Sequence, residues 1–120
     1  KNILVPGFIN DLKPYFFKSK GFILTSLWED PGFVLIEAGA LRTIVLASDN
    51  LNGQNEIIQN HKNGVLFKNN NEEDFLKKFE YFYNLKKEES SNILINNYKV
   101  IKKYTLFYHY RILKKILEVN

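Results

Sequence analysis

Four short apolar runs, at residues 3 to 6, 22 to 26, 43 to 48 and 64 to 67, alternate along the chain with segments of helical periodicity. Strands joined through whole helices cannot pair as hairpins, so this alternation predicts an α/β fold: a Rossmann-like parallel sheet of about four strands with helices on both faces. The connecting helices are expected near 11 to 19, 32 to 41 and 53 to 60. After the last strand, residues 72 to 86 set Phe75, Phe79, Phe82 and Tyr83 on one face with lysines and glutamates opposite, and Asn69-Asn70-Asn71 stands before them as a cap. Two more helices are expected near 89 to 103 and 105 to 118. In the second, Leu106, Tyr110, Leu113 and Leu117 recur at helical spacing, which predicts a tail packed on the sheet or on a partner.

Residues 1 to 120 are read as a single domain, because a chain of this length supports one core. No run of eighteen apolar residues is present, so no spanning helix is expected. There is no cysteine for disulfide or thiol chemistry, and His61 and His109 stand alone, so no metal site is expected. The chain has no methionine, so Lys1 is not expected to be a native start.

Parallel sheets of this kind bind ligands beyond the carboxyl ends of their strands. Three such ends carry candidate residues: the turn from Gly7 to Asn10, the loop holding Glu29, and the loop from Asp49 to Gly53. Glu37 lies in a helix whose neighbouring positions are Phe33, Val34, Ala40 and Leu41, so it is expected to be a buried carboxylate in need of a partner. Asp30 and Pro31 read as the N-cap and first position of that helix. Gly32 lets a ligand approach the backbone, and the free N–H groups of the first turn favour an anionic group such as phosphate. Gly53 opens a helix with Glu56 in its first turn. A glycine-started helix with a dipole-compatible acid accounts for that pattern as well as binding does.

The segment Glu29-Asp30-Pro31-Gly32-Phe33-Val34-Leu35-Ile36-Glu37 resembles the Glu-x7-Glu motif of the retaining, two-domain glycosyltransferases of family 4, which have the GT-B fold. Similarity continues through Thr43 to Asp49, Asn52 to Ile58 and Asn63 to Phe67, and includes the start at Ile3 to Asn10. The resemblance implies the carboxyl-terminal, nucleotide-sugar-binding half of such an enzyme, with the amino-terminal acceptor domain absent from these residues. It implies transfer of a sugar from a UDP- or GDP-linked donor to a saccharide or lipid-linked acceptor, with retention and without a metal or other cofactor. Glu29 would be the catalytic-site carboxylate on the donor sugar, Glu37 would take the ribose hydroxyls, and Ile9 would meet the base through its main chain. Asp30, Gly32, Phe33 and Gly53 complete the implied binding set.

Two departures qualify the resemblance. Asp30-Pro31-Gly32 stands where the family more often has Gly-Phe-Gly, which removes one N–H donor at Pro31; the Asp-Pro-Gly-Phe form is a trait of bacterial members. The family's diphosphate-binding Arg and Lys lie upstream of the aligned region, so the chain alone is expected to be inactive. The strand order 3-2-1-4-5-6 of the family would also separate run 3 to 6 from run 22 to 26. Run 3 to 6 is then expected either to pair in a new way or to hang as a loose arm.

Charge is unevenly placed. Through Asn84 there are nine Lys or Arg against ten Asp or Glu; from Leu85 onward there are eight against three. Lysine-rich solvated helices are the plain reading of that basic third. Peripheral contact with anionic lipid at the inner face of a membrane is the functional one, on an otherwise cytoplasmic protein. No motif suggests nucleic acid. The alternative to an enzyme half is a non-catalytic nucleotide-sugar-binding or interaction module that kept the fold. A receiver-like module is disfavoured, because Pro6-Gly7 ends the first run where clustered acids would be needed.

Overall fold

The computed structural model describes residues 3–30, 32–50 and 53–118. Its sheet has three parallel strands in the order β1 (Phe22–Leu24), β2 (Val45–Asp49), β3 (Val65–Lys68). The central strand is buried on both sides, with Val45, Leu46 and Ala47 fully inaccessible. Alternation then sorts the core into two layers. Val45, Ala47 and Leu66 face Phe16, Leu35, Ala38, Ile57, Ile58 and Ile101, whereas Leu46, Val65 and Phe67 face Phe75, Tyr81 and Phe82.

The first layer is built by α1 (Lys13–Lys18), α2 (Phe33–Ala40), α3 (Gln54–Ile57) and α5 (Lys87–Ile101); the second is built by α4 (Glu72–Tyr83). Each expected helix from 11 onward is present, most with shorter ends and α5 displaced two residues toward the amino terminus. The start of α4 is capped as the asparagine run suggests, by Asn71 accepting from the Asp74 N–H at 2.8 Å. The helix expected over 53 to 60 stops at Ile57, because Ile58 is extended and Asn60 pairs with Gly64 to lead into β3. Asn63 fixes that turn, donating to the Ile57 carbonyl at 2.8 Å and accepting from the Gln59 N–H at 2.6 Å.

Two expectations are corrected. The run 3 to 6 is not a strand but takes the second of its two expected outcomes, a loose arm: Ile3, Leu4 and Val5 are about four-fifths exposed and lie in no strand. An apolar run has strand composition, yet strand structure needs a neighbour to accept its N–H groups, and β1 is bonded on one edge to β2 alone. Among the described residues the sheet therefore has three strands rather than about four. The second concerns α6 (Leu106–Glu118): of the two surfaces expected to hold it, the sheet or a partner, it does not return to the sheet. It follows a single 3-10 turn (Lys102–Tyr104), has no buried residue, and extends the molecule to 60 Å against about 30 Å in the other directions.

The packing that matters for the site is α5 on α2. Gly39 of α2 lies so close to α5 that a Cβ there would stand 2.6 Å from Ile101 Cγ1 and 3.0 Å from Asn97 Nδ2. Gly39, Asn97 and Ile101 are all buried, so this contact sets how α2 lies on the sheet.

Candidate functional site

The chain leaves β1 through Ser26, whose carbonyl accepts from three side chains: Ser48 Oγ, Asn50 Nδ2 at 3.4 Å and Gln54 Nε2 at 3.5 Å. These donors come from the end of β2, the loop after it and the start of α3. The end of β1 is thus tied to the rest of the carboxyl edge of the sheet, three residues before Glu29. Nothing in the sequence pattern announces this knot, since a main-chain carbonyl has no side-chain signature.

Glu29 is half-buried, Asp30 is exposed, and Pro31 lies outside the described residues. The helix start differs from the expectation. Gly32, with φ 74° and ψ 44°, is the residue before the first helical position, and α2 begins at Phe33. A left-handed residue breaks the helical backbone, so Asp30 cannot occupy the capping position next to the first turn. No side chain caps α2 and its first turn holds no acid; the Leu35 N–H turns back to the Gly32 carbonyl at 2.9 Å. The remaining N–H groups of that turn, with the helix dipole behind them, form a positive mouth suited to an anion. Phe33 presents its ring outward beside it, two-thirds exposed.

Glu37 is exposed, which corrects the expectation of a buried carboxylate. An apolar wheel shows which residues flank a position but not whether anything covers them. In α2 the positions Leu35, Ala38 and Gly39 are buried, whereas Phe33, Glu37 and Ala40 form an open side. That side borders a groove of about 360 Å³ whose walls include Ile9, Asn10, Asp11, Lys13, Glu37 and Leu41. The structure therefore brings Glu37 and Ile9 together, two residues that lie 28 positions apart. Among the described residues neither the Glu29 nor the Glu37 carboxylate has an ion-pair or hydrogen-bond partner; the single ion pair joins Lys114 to Glu118.

Glu29 does not line this groove, and neither does Gly53. Glu29 and Gly32 belong to the mouth of α2, and the helical rise sets Glu37 about 6 Å farther along the axis from Phe33. Gly53 is buried, has φ 89°, and opens α3 as expected. Asn10, Asp11 and Lys13 were not singled out by residue type. Their signal was positional: they continue the turn from Gly7 to Asn10, and Asp11 accepts from the Lys13 N–H at 3.1 Å to start α1. Among the described residues no group of three or more acids or histidines could hold a metal ion.

A groove with apolar walls and a few polar and charged side chains, next to an uncapped helix mouth, fits a ligand with an anionic middle and hydroxyl-bearing flanks. Comparison with known proteins agrees in kind. Residues 1–100 match the family described as glycosyl transferases group 1. The chain is 26% identical over 108 residues to the UDP-Gal:alpha-D-GlcNAc-diphosphoundecaprenol alpha-1,3-galactosyltransferase of Escherichia coli, a match covering 86% of this chain and 28% of that protein. In fold it is similar to TarM, with a TM-score of 0.77 and 26% identity over 98% of this chain and 23% of that one. A glycosyltransferase from Rickettsia africae gives a TM-score of 0.73 at 27% identity, over 92% of this chain and 29% of that one. The carboxyl-terminal domain of a group 1 glycosyl transferase (LpcC) from Francisella tularensis gives 0.71 at 23% identity, over 83% of this chain and 52% of that one. The chain thus spans about half or less of the length of these relatives. With five-sixths of its length matched, it belongs to the group 1 glycosyltransferase family, and its fold is that of their GT-B carboxyl-terminal domains.

Proposed function

We propose that these residues form the donor side of a retaining glycosyltransferase that moves a sugar from a UDP- or GDP-linked donor to a saccharide or lipid-linked acceptor in polysaccharide or glycolipid synthesis. One observation carries the reading. Ile9 and the unpaired Glu37 share a groove that runs alongside the helix whose uncapped mouth begins at Gly32. A nucleotide diphosphate laid along α2 would place its diphosphate at the N–H groups of Phe33 and Val34. Its ribose would then reach Glu37, whose two oxygens can accept from both vicinal hydroxyls, and its base would reach Ile9. Glu29, at the mouth, would meet the hydroxyls of the sugar.

Retention, the roles of the two glutamates and the nucleotide are assigned here from the resemblance and this geometry. The acceptor and the cations that neutralise the departing diphosphate are assigned to residues outside these 120. The chain by itself is therefore expected to bind donor without transferring sugar. Calorimetric titration of the 120-residue chain with UDP-galactose, UDP-glucose and GDP-mannose tests the reading. Glu37→Ala should weaken whichever donor binds by about 1.5–3 kcal/mol, roughly tenfold to a hundredfold, as expected for hydrogen bonds to a charged acceptor. Equal affinity of wild type and variant would remove Glu37 from the site. Rapid sugar transfer by the isolated chain would remove the division of labour proposed here.

A further inference from the structure

The segment that carries Glu29 from β1 toward α2 is held in a way that its own side chains do not explain. Leu27 is 65% exposed and Trp28 64%, so the two apolar residues ahead of Glu29 bury little surface and do not anchor it by packing. Main-chain carbonyls anchor it instead. That of Ser26 accepts from Ser48, Asn50 and Gln54, and the next one, that of Leu27, accepts from Asn69 Nδ2 at 3.3 Å. Ser48 lies in β2 and Gln54 opens α3, whereas Asn69 stands in the turn between β3 and α4. Two consecutive carbonyls are thus tied to different parts of the carboxyl edge of the sheet, and the chain reaches Glu29 two residues after the second.

The bonds at Ser26 are unequal. A carbonyl oxygen offers two lone pairs, so three donors cannot all bind it well. Ser48 Oγ makes the closest contact, while Asn50 Nδ2 at 3.4 Å and Gln54 Nε2 at 3.5 Å stand at the limit of a hydrogen bond. Gln54 Nε2 also donates to Ser48 Oγ at 3.4 Å, which occupies a lone pair of that hydroxyl and leaves its proton for Ser26. Ser48 is 1% exposed and Gln54 0%, so the principal clamp is shielded from competing water.

We infer that Ser48, whose hydroxyl Gln54 orients, and Asn69 are positioning residues: they fix the Trp28–Glu29 segment before a ligand arrives, so that the Glu29 carboxylate stands ready for the hydroxyls of the donor sugar. Ser48 acts through the Ser26 main chain and Asn69 through that of Leu27. A segment that visited this place only part of the time would bind more weakly in proportion to that fraction. Fixing it in advance removes the ordering cost from binding. The clamp itself is a property of the unliganded chain; its use for the sugar rests on the role proposed above for Glu29.

The experiment has a ligand-free arm and a binding arm, both on the 120-residue chain. Trp28 is the single tryptophan, so fluorescence anisotropy decay reads this segment alone, beside the amide order parameters of Trp28 and Glu29. The Glu29 amide should lie near the rigid value of about 0.85 in wild type and fall below about 0.6 in Ser48→Ala/Asn69→Ala, with intermediate values in each single variant. Ile57→Val, at a 2% exposed position of α3 in the core, is the control. Like the loss of one hydrogen bond in Ser48→Ala, it should lower the melt by about 2–6 °C, yet it should leave the order parameters unchanged. In calorimetry the double variant should bind a nucleotide-sugar about tenfold more weakly and UDP or GDP as wild type does, because the sugar is what meets Glu29. A wild-type Glu29 amide already below about 0.6, variants as rigid as wild type, or loosening equally large in Ile57→Val would overturn the inference. So would a loss of affinity shared by the nucleotide alone. If wild type binds no nucleotide-sugar, the donor-site reading fails, and the ligand-free arm still decides whether Ser48 and Asn69 hold Glu29.

Discussion

Replacing Gly39 with alanine sets two opposed effects against each other at the seam that orients the site-bearing helix. In an open helix the change would stabilise by about 1 kcal/mol, because glycine is the weaker helix former. Here the added Cβ would stand 2.6 Å from Ile101 Cγ1 and 3.0 Å from both Ile101 Cδ1 and Asn97 Nδ2. Ordinary carbon contacts lie at about 3.5–4.0 Å, so α2 and α5 must separate by about 1 Å or Ile101 must leave its rotamer. Neither move is cheap, since Ile101 is only 5% exposed and Asn97 1%. Overpacking costs about 1–3 kcal/mol, and with both neighbours buried the upper part of that range, about 2–3 kcal/mol, applies, so with the helix gain subtracted the net loss is about 1–2 kcal/mol. At about 0.25 kcal/mol per degree for a chain of this size, the melting temperature should fall by about 4–8 °C. Far-UV circular dichroism in a urea or thermal scan reads it directly. Ile101→Ala removes the obstructing atoms, so the double variant should be more stable than the sum of the single losses by about 1 kcal/mol or more. A Gly39→Ala protein that melts at or above wild type, with no coupling to Ile101, would refute the close approach of the two helices.

Three further outcomes are expected. Gly32→Ala should cost about 1–2 kcal/mol in urea unfolding, since φ 74° is a left-handed conformation, and Gly32→Asn should cost less because asparagine tolerates that region. Asn71→Ala should cost about 1 kcal/mol by removing the cap on the Asp74 N–H, and Asn71→Ser should recover most of it. The His61 ring packs edge-on against Tyr81 and receives Lys78 Nζ at 3.0 Å, and burial followed by the Lys78 charge lowers its pKa below 6.5. The unfolded chain therefore binds the proton more readily, so this contribution is present above pH 6.5 and is lost as pH falls through the folded value. An NMR titration of His61 should give a midpoint below 6.5 that rises in Lys78→Gln, and an unchanged midpoint would contradict the contact.

How much of this was legible in the sequence depended on whether a feature is set by neighbours in the chain or by neighbours in space. The faces of α4 could be read because Phe75, Phe82 and their polar opposites repeat at the helical period, and two of those aromatics do pack on β3. Run 3 to 6 forms the loose arm, one of its two expected outcomes, because composition marks an apolar strand but cannot supply its bonding partner. The helix start moved from Asp30 to Gly32 because a left-handed glycine is invisible in a string of letters until its φ is known. Glu37 was placed correctly on α2 and wrongly in its burial, since the apolar residues around it include Phe33 and Ala40, which also face outward. The pairing of Glu37 with Ile9 across one groove followed only from the resemblance, and the Ser26 knot could not have been read at all.

The central claim is that α2 receives a nucleotide-sugar along its open side, from the Gly32 mouth to the Glu37–Ile9 groove. Amide chemical-shift mapping during a UDP or GDP titration, on isotope-labelled chain, addresses this without requiring turnover. The account predicts that the first and largest changes fall on Ile9, Gly32, Phe33, Val34 and Glu37. Saturable changes confined to the groove that Arg42 and Tyr98 line beside α5, or no saturable change with either nucleotide, would contradict it.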